Sequence, residues 1–482
     1  MSEASSLEQV CEQLGILPRY RDHAGAVREV PEATLRSLVQ CLNVTATDRV
    51  LPPVVVWREG DGEVAVPLSR TGEALRWTLQ GEGHSLAGTS DRGADRLIIA
   101  DSLPLGYYQL KLHSGDAPIG SCTLIAAAAQ AYLPPLLRGG GRLWGLATQL
   151  FALRSARNWG IGDFTDLSDL IRHASEHGVA AIGLTPLHAL YFDEPDRCSP
   201  YSPSSRSFLN VLYIDPEAMP EFASCDEARA LRAEPAFDRE LQRLRADSRV
   251  NYAEVADCKR RMFDLLYRHF QERHLSRGDE YAAAFDRFRR ERGKRLHQFA
   301  TFEALREHFA AMGASLSWPG WPEPFRDPDS PAVADFVARR ADRVTYFAYL
   351  QWHAHRQLLH CQKTAQEAGM PIGVYLDIAV GVDRDSAEAW WSQDYLVGGW
   401  SIGAPPDNWN LKGQSWGAPP PNVTRMRETA YAAIRECLDA NMRYAGAIRI
   451  DHILGFMRMF WVPEAANAAD GGYFPYSLRE LV

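Results

Sequence analysis

The chain has 482 residues, of which 46% are hydrophobic and 23% charged, and a formal net charge of −9 at pH 7. Such a length suits about three folding units of roughly 150 residues. The acidic balance excludes nucleic acid and anionic membrane as partners, because both require a basic surface, while neutral ligands such as sugars remain compatible. The N-terminal stretch MSEASSLEQV lacks the basic-then-apolar pattern of a secretion signal. No run of about 18 apolar residues reads as a transmembrane helix. The eight cysteines form no CxxC pair, so a cytoplasmic location with reduced thiols is expected.

Residues 1–50 read as a helical segment. Leu7, Val10, Cys11 and Leu14 recur at helical spacing up to Gly15, and a second helix is expected from Pro31 to Leu42. Residues 51–130 change period. Short runs at Val54–Trp57, Glu63–Val66, Leu75–Leu79, Arg96–Ala100 and Tyr107–Leu112, punctuated by Gly, Asp, Ser and Pro, predict a small antiparallel sandwich. Pro134, Pro135 and Gly139–Gly141 mark a linker. From 141 to 482 the pattern alternates. Strands are expected at 143–150, 179–187, 370–381 and 445–453, and helices at 164–177 and 426–441. A helical insertion rich in Arg and Glu, with a solvated charged face, is expected at about 225–312. Strand–helix–strand with a short return implies parallel α/β construction.

The strongest chemical signal is Arg449-Ile450-Asp451-His452 at the end of an apolar strand. Alternation puts Ile448 and Ile450 on one face and Arg449 and Asp451 on the other. In a parallel barrel that second face lines the interior at the C-terminal rim, where active sites sit. An arginine beside a carboxylate keeps it ionised, as a retaining glycosidase nucleophile must be. A buried structural ion pair is the competing reading. Asp377 lies inside a strand that runs into a small-residue loop, Gly373 to Gly381. The segments Gly403 to Asp407 and Gly413 to Gly417 combine Gly, Pro, Trp, carboxylate and amide groups, which suit sugar hydroxyls and ring faces. The thirteen tryptophans serve either such a cleft or the core. Three weaker patterns carry little. Gly399–Gly403 has nucleophile-elbow spacing, but Pro405-Pro406 denies it the following helix. His353, His355 and His360 are expected on a helix surface, since i and i+2 do not face one another. Asp383–Asp385 lacks cation-loop spacing. No metal site is expected.

Trp159–Phe164, Ser199–Ser202, Asn210–Asp215, Gly373–Gly381, Gly403–Asp407, Gly413–Gly417 and Arg449–His452 occur in that order. From about residue 142 onward the chain resembles the amylomaltases (4-α-glucanotransferases), in particular the long bacterial type with an added N-terminal region. The resemblance implies an amylase-like (β/α)8 barrel, no cofactor, and transfer of α-1,4-glucan segments between maltooligosaccharides through a covalent glycosyl-enzyme. It implies Asp451 as nucleophile and Arg449 as the group that orients it. Tyr201, Asp377, Asp407, Gln414, Trp416 and His452 match positions at or near the sugar subsites. It also implies that the acid/base glutamate lies on a later strand, beyond Val482. With four barrel-like strands where closure takes about eight, the first half of the barrel is expected. Such a half barrel is expected to self-associate and to be poorly active alone. A non-catalytic glucan-binding fragment and an amylase-type hydrolase are the alternatives.

Overall fold

The structure is a computed structural model that describes residues 3–22, 25–41, 49–69, 72–81 and 83–481. The helical expectation at Leu42 and residues 43–48, and the readings that concern Val482, fall outside the described residues. The chain forms two compact units: one of residues 134–393 and 436–452, the other of residues 1–133, 394–435 and 453–482.

The first unit is built on a four-stranded parallel sheet: β1 (Gly145–Thr148), β2 (Ala181–Leu184), β3 (Gly373–Ile378) and β4 (Ala447–Ile450), in that spatial order. Parallel neighbours need crossovers, and helices supply them. Between β1 and β2 the helix Phe164–Ser175 starts on Asp163, whose side chain accepts the N–H groups of Thr165 and Asp166. Its residues Phe164, Leu167, Ile171 and Ala174 recur at helical spacing and are buried. Between β2 and β3 come the helices Asp226–Ala233, Pro235–Ala246, Tyr252–Phe270, Glu280–Ala311, Pro331–Arg339 and Ala341–Glu367. Their Arg and Glu side chains do not make them purely solvated. Val255, Met262, Phe263, Leu266 and Phe270 form a buried stripe on one of them, each side chain contributing about 1.5–3 kcal/mol on burial. The helix Glu280–Ala311 breaks at Gly293, whose φ of 56° and ψ of −143° suit only glycine.

Two expectations fail here. The histidines of the helix Ala341–Glu367 do not all lie on its surface: His353 is buried 3.3 Å from the buried Glu221. His355 is 2.8 Å from the Tyr444 hydroxyl, and only His360 is exposed. This helix is enclosed along most of its length, with Tyr346, Tyr349, Leu350, Ala354 and Leu358 in the core, so little of it is surface. The single helix expected at 426–441 is two, Val423–Glu428 and Ala432–Met442. Ala430 and Tyr431 between them take left-handed φ values of 48° and 59°.

In the second unit, a five-stranded sheet runs in the order Val54–Arg58, Ala117–Ala127, Gly106–Ser114, Arg76–Gly81, His84–Thr89. Val64–Pro67 pairs with Arg96–Ala100. Alternate residues such as Leu110, Leu112, Leu124, Val64 and Val66 fill the shared core. The sheet is not purely antiparallel, because Val54–Arg58 runs parallel to Thr123–Ala127. A further antiparallel sheet joins Gln414–Ser415, Trp400–Ala404, Arg458–Pro463 and Gly472–Pro475.

Candidate active site

Register brings the acidic groups together. β3 and β4 pair Asp377 directly with Arg449 and Ile378 with Ile450, so Asp377 and Arg449 share a face at the C-terminal ends of neighbouring strands. Asp451 follows β4 in a turn, its N–H reaching the Ile378 carbonyl at 3.4 Å. One guanidinium then bridges two carboxylates. Arg449 Nη1 donates to Asp377 Oδ2 at 2.5 Å, and Nη2 donates to Asp451 Oδ1 at 2.6 Å. The Tyr201 hydroxyl, from the loop beyond β2, donates to Asp377 Oδ2 at 3.3 Å. Tyr201, Asp377 and Arg449 line a cavity of about 640 Å³ with Thr148, Gln149 and Tyr375. The expected pattern of Ile448 toward the helices holds, for Ile448 packs on the main core.

Burial sets the electrostatics. Asp377 is only 5% exposed, and desolvation raises its carboxyl above the usual range; Arg449 opposes that shift and the Asp451 charge adds to it. Asp377 Oδ1 is buried without a hydrogen-bond partner. Arg449 is raised, chiefly by Asp377. The Tyr201 phenol is raised by burial and by Asp377. His452, next to Asp451, has a left-handed φ of 51°; burial lowers its imidazole while Asp451 acts the other way.

Groups that sequence reading missed hold this rim in place. His188 is buried, and its Nε2 accepts the N–H of Ala379, two residues past Asp377, at 3.3 Å. Burial, with Arg206 adding its charge, pushes this imidazole down to about 3, so it stays neutral and able to accept. Arg206 donates to the Val380 carbonyl at 3.2 Å and pairs with Glu388 at 2.6 Å. Nothing in the sequence announces these links, because each joins a side chain to backbone far along the chain. A second missed group is Arg157, which bridges Asp163, Asp166 and Asp215 at 2.6, 2.9 and 2.7 Å. Lys259 is buried nearby, donating to the Leu212 and Ile214 carbonyls, each at 2.6 Å. The conspicuous segments Trp159–Phe164 and Asn210–Asp215 therefore meet in a charge cluster. An Asp N-cap with Asp166 three residues on was the one visible sign of it.

Not every nominated residue joins the Arg449 cluster. Asp407, Gln414 and Trp416 belong to the other unit. Asp407 Oδ1 accepts the N–H groups of Trp409 and Asn410 at 2.7 and 2.6 Å. The Trp416 indole donates to Gln414 Oε1 at 3.2 Å, on the strand paired with Trp400–Ala404. Glu480, also in that unit, is engaged by Arg427 at 3.0 Å and by Tyr431. The tryptophans divide: Trp159, Trp321, Trp390 and Trp461 are core, whereas Trp409 is 92% exposed. Among the described residues no group of three or more His, Cys, Asp and Glu could hold a metal ion, and no helix is long and apolar enough to cross a membrane.

Parallel strands whose C-terminal ends carry paired carboxylates and a bridging arginine are the arrangement of an α/β enzyme with a barrel-type site. Residues 148–482 match the 4-alpha-glucanotransferase family, and residues 50–127 match the MalQ N-terminal beta sandwich domain. The 4-alpha-glucanotransferase of Mycobacterium tuberculosis (strain ATCC 25618 / H37Rv) is 34% identical over 519 residues, covering 99% of this chain and 70% of that protein. That of Haemophilus influenzae is 31% identical over 490 residues, covering 100% of this chain and 70% of that protein. The crystal structure of amylomaltase from Corynebacterium glutamicum superposes with a TM-score of 0.81 at 27% identity, covering 99% of this chain and 69% of that one. The chain belongs to the 4-alpha-glucanotransferase family, as its resemblance to the amylomaltases implied. It is a glycosyltransferase with an amylase-like α/β fold behind an N-terminal β-rich domain.

Proposed function

We propose that the chain moves segments of α-1,4-glucan from one maltooligosaccharide to another, with Asp451 as the nucleophile. The observation that carries this reading is the Arg449 guanidinium, which lines the cavity with Asp377 and is held between Asp377 and Asp451. A carboxylate oxygen of Asp451 bonds to the anomeric carbon as the glycosidic C–O bond breaks, and an acid protonates the departing oxygen. The 4-OH of an acceptor sugar then attacks the same carbon, gives its proton to the conjugate base of that acid, and releases Asp451 as the ester C–O bond breaks. Arg449 orients the nucleophile through its hydrogen bond to Asp451 Oδ1. Asp377 Oδ1, buried and without a partner, accepts from a sugar hydroxyl, and the Tyr201 ring offers an aromatic face to the pyranose. Asp407, Gln414, Trp416 and His452 serve the donor and acceptor subsites in this reading. A cytoplasmic setting belongs to it too, supported by eight free cysteines.

The test is incubation with maltotriose. Transfer produces both longer and shorter maltodextrins. Glucose and maltose alone would mark a hydrolase, and no change a binding protein. Under this proposal Asp451→Asn abolishes the longer products, and longer products from that variant would remove Asp451 from the mechanism.

A further inference from the structure

The helices Phe164–Ser175 and Ala341–Glu367 enclose between them a cavity of about 430 Å³ that shares no lining residue with the cavity at Arg449. Thr165, Ser168 and Arg172 follow one another at i, i+3 and i+7 on the first helix. His353, Arg356 with Gln357, and His360 do the same on the second. Each helix therefore turns one polar face to the same space. Two guanidiniums and two imidazoles line it, and no carboxylate does, in a chain whose net charge is −9.

The nearby acids do not line the cavity; two of them sit against groups that do, and the third is held by Arg157. Asp169 takes one nitrogen of Arg172 at 2.7 Å, and Glu221 is 3.3 Å from His353. Asp215 lies behind Gln357 and Thr165 and is paired with Arg157. The basic groups are also held in place. Arg356 donates to the Tyr281 hydroxyl at 2.6 Å and lies over the Trp352 ring at 4.9 Å, which sets the plane of its guanidinium. His353 is buried, with a side chain only 1% exposed.

We propose that this cavity binds a phosphate group, free or carried by a small sugar. Planar guanidiniums match phosphate oxygens two at a time, and the ordered Arg356 needs little reorganisation to do so. The volume lies within the ordinary range for a small-molecule site, whose floor is about 300 Å³. Because the two cavities are separate, glucan bound at Arg449 and phosphate bound here do not exclude each other.

Calorimetric titration of the full chain at constant ionic strength, using inorganic phosphate, a hexose 6-phosphate and the unphosphorylated hexose, tests the proposal. Both phosphate probes bind and the plain hexose does not. Tighter binding of the hexose phosphate identifies a monoester as ligand, and equal binding identifies phosphate itself. Arg172 and His360 are exposed and can be replaced without loss of core packing. Arg172→Gln and His360→Gln each weaken the phosphate probes by about tenfold, as loss of one hydrogen bond to the ligand implies, and leave the melting temperature unchanged. Maltotriose does not displace the probes. Silence from both phosphate probes, equal binding of the plain hexose, or undiminished affinity in both variants would overturn the proposal.

Discussion

Arg157 and Arg449 are chemically the same device, one guanidinium shared by several aspartates, yet the two clusters are finished differently. Around Arg157, every carboxylate oxygen of Asp163, Asp166 and Asp215 accepts a hydrogen bond, from Arg157 itself or from Asn158, Thr165, Glu217 and neighbouring backbone N–H groups. The three carboxylates have side chains 1–4% exposed. Around Arg449 the account is left open: Asp377 Oδ1 is buried without a partner, and Asp451 retains 30% of its side-chain surface. A cluster whose carboxylate oxygens are all engaged is a strut, even with Arg157 Nε buried and without a partner. An open one has capacity left for something that arrives.

The largest effect expected from this contrast is chemical. Asp451→Asn should cost several orders of magnitude in transfer, as loss of a covalent nucleophile does, with an unchanged melting temperature. Near-normal production of longer maltodextrins would sink the assignment. The converse experiment removes the strut. Arg157→Leu strands buried carboxylates and should destabilise by about 3–5 kcal/mol, measured by urea unfolding. Arg449→Gln strands one buried carboxylate, Asp377, against three around Arg157, so it should shift the urea midpoint less than Arg157→Leu does while abolishing transfer. Equal destabilisation by both would erase the distinction. Trp416→Ala should weaken maltodextrin binding by about 1–3 kcal/mol through lost aromatic contact; unchanged affinity by calorimetry would make Trp416 a packing residue.

A smaller effect concerns pH. The His188 imidazole falls from 6.5 to about 3 on folding, so the unfolded chain binds more protons than the folded one between those values. The stability it contributes is complete above pH 6.5 and declines as pH falls toward 3. The slope is at most about 1.4 kcal/mol per pH unit. His188→Gln keeps an acceptor for Ala379 but removes the proton, so its stability should depend less steeply on pH across that window. An identical pH profile would show that His188 does not set it.

Much of the frame was legible because apolar runs closed by small-residue loops mark buried parallel strands. All four strands of the parallel sheet were anticipated, each trimmed by a few residues at its ends. Other elements were hidden for physical reasons. His84–Thr89 is almost wholly exposed and carries no alternation to read. Ala117–Ala127 contains Pro118, Gly120 and a run of alanines that reads as connector. The break at Ala430 and Tyr431 occurs without glycine or proline. At the site, Arg449 and Asp451 were visible as charged residues alternating with Ile448 and Ile450, and Asp377 as an acid inside an apolar strand; their register was not. The supports were not, since a neutral histidine accepting a backbone N–H has no motif.

The spacing of the parallel strands also bears on the birth of the molecule. About 190 residues separate Leu184, the end of β2, from Gly373, the start of β3. At translation rates of roughly 5–20 residues per second, β2 waits on the order of 10–40 s for the neighbour that covers its edge. Its residues Ala181 and Ile182, buried in the finished protein, have no β3 partner in that interval. Pairings of such long range form late, after the costly closure of the chain between them. The intervening helices complete their own contacts first, and the surface on which Asp377 and Arg449 meet comes into existence only once β4 has been made.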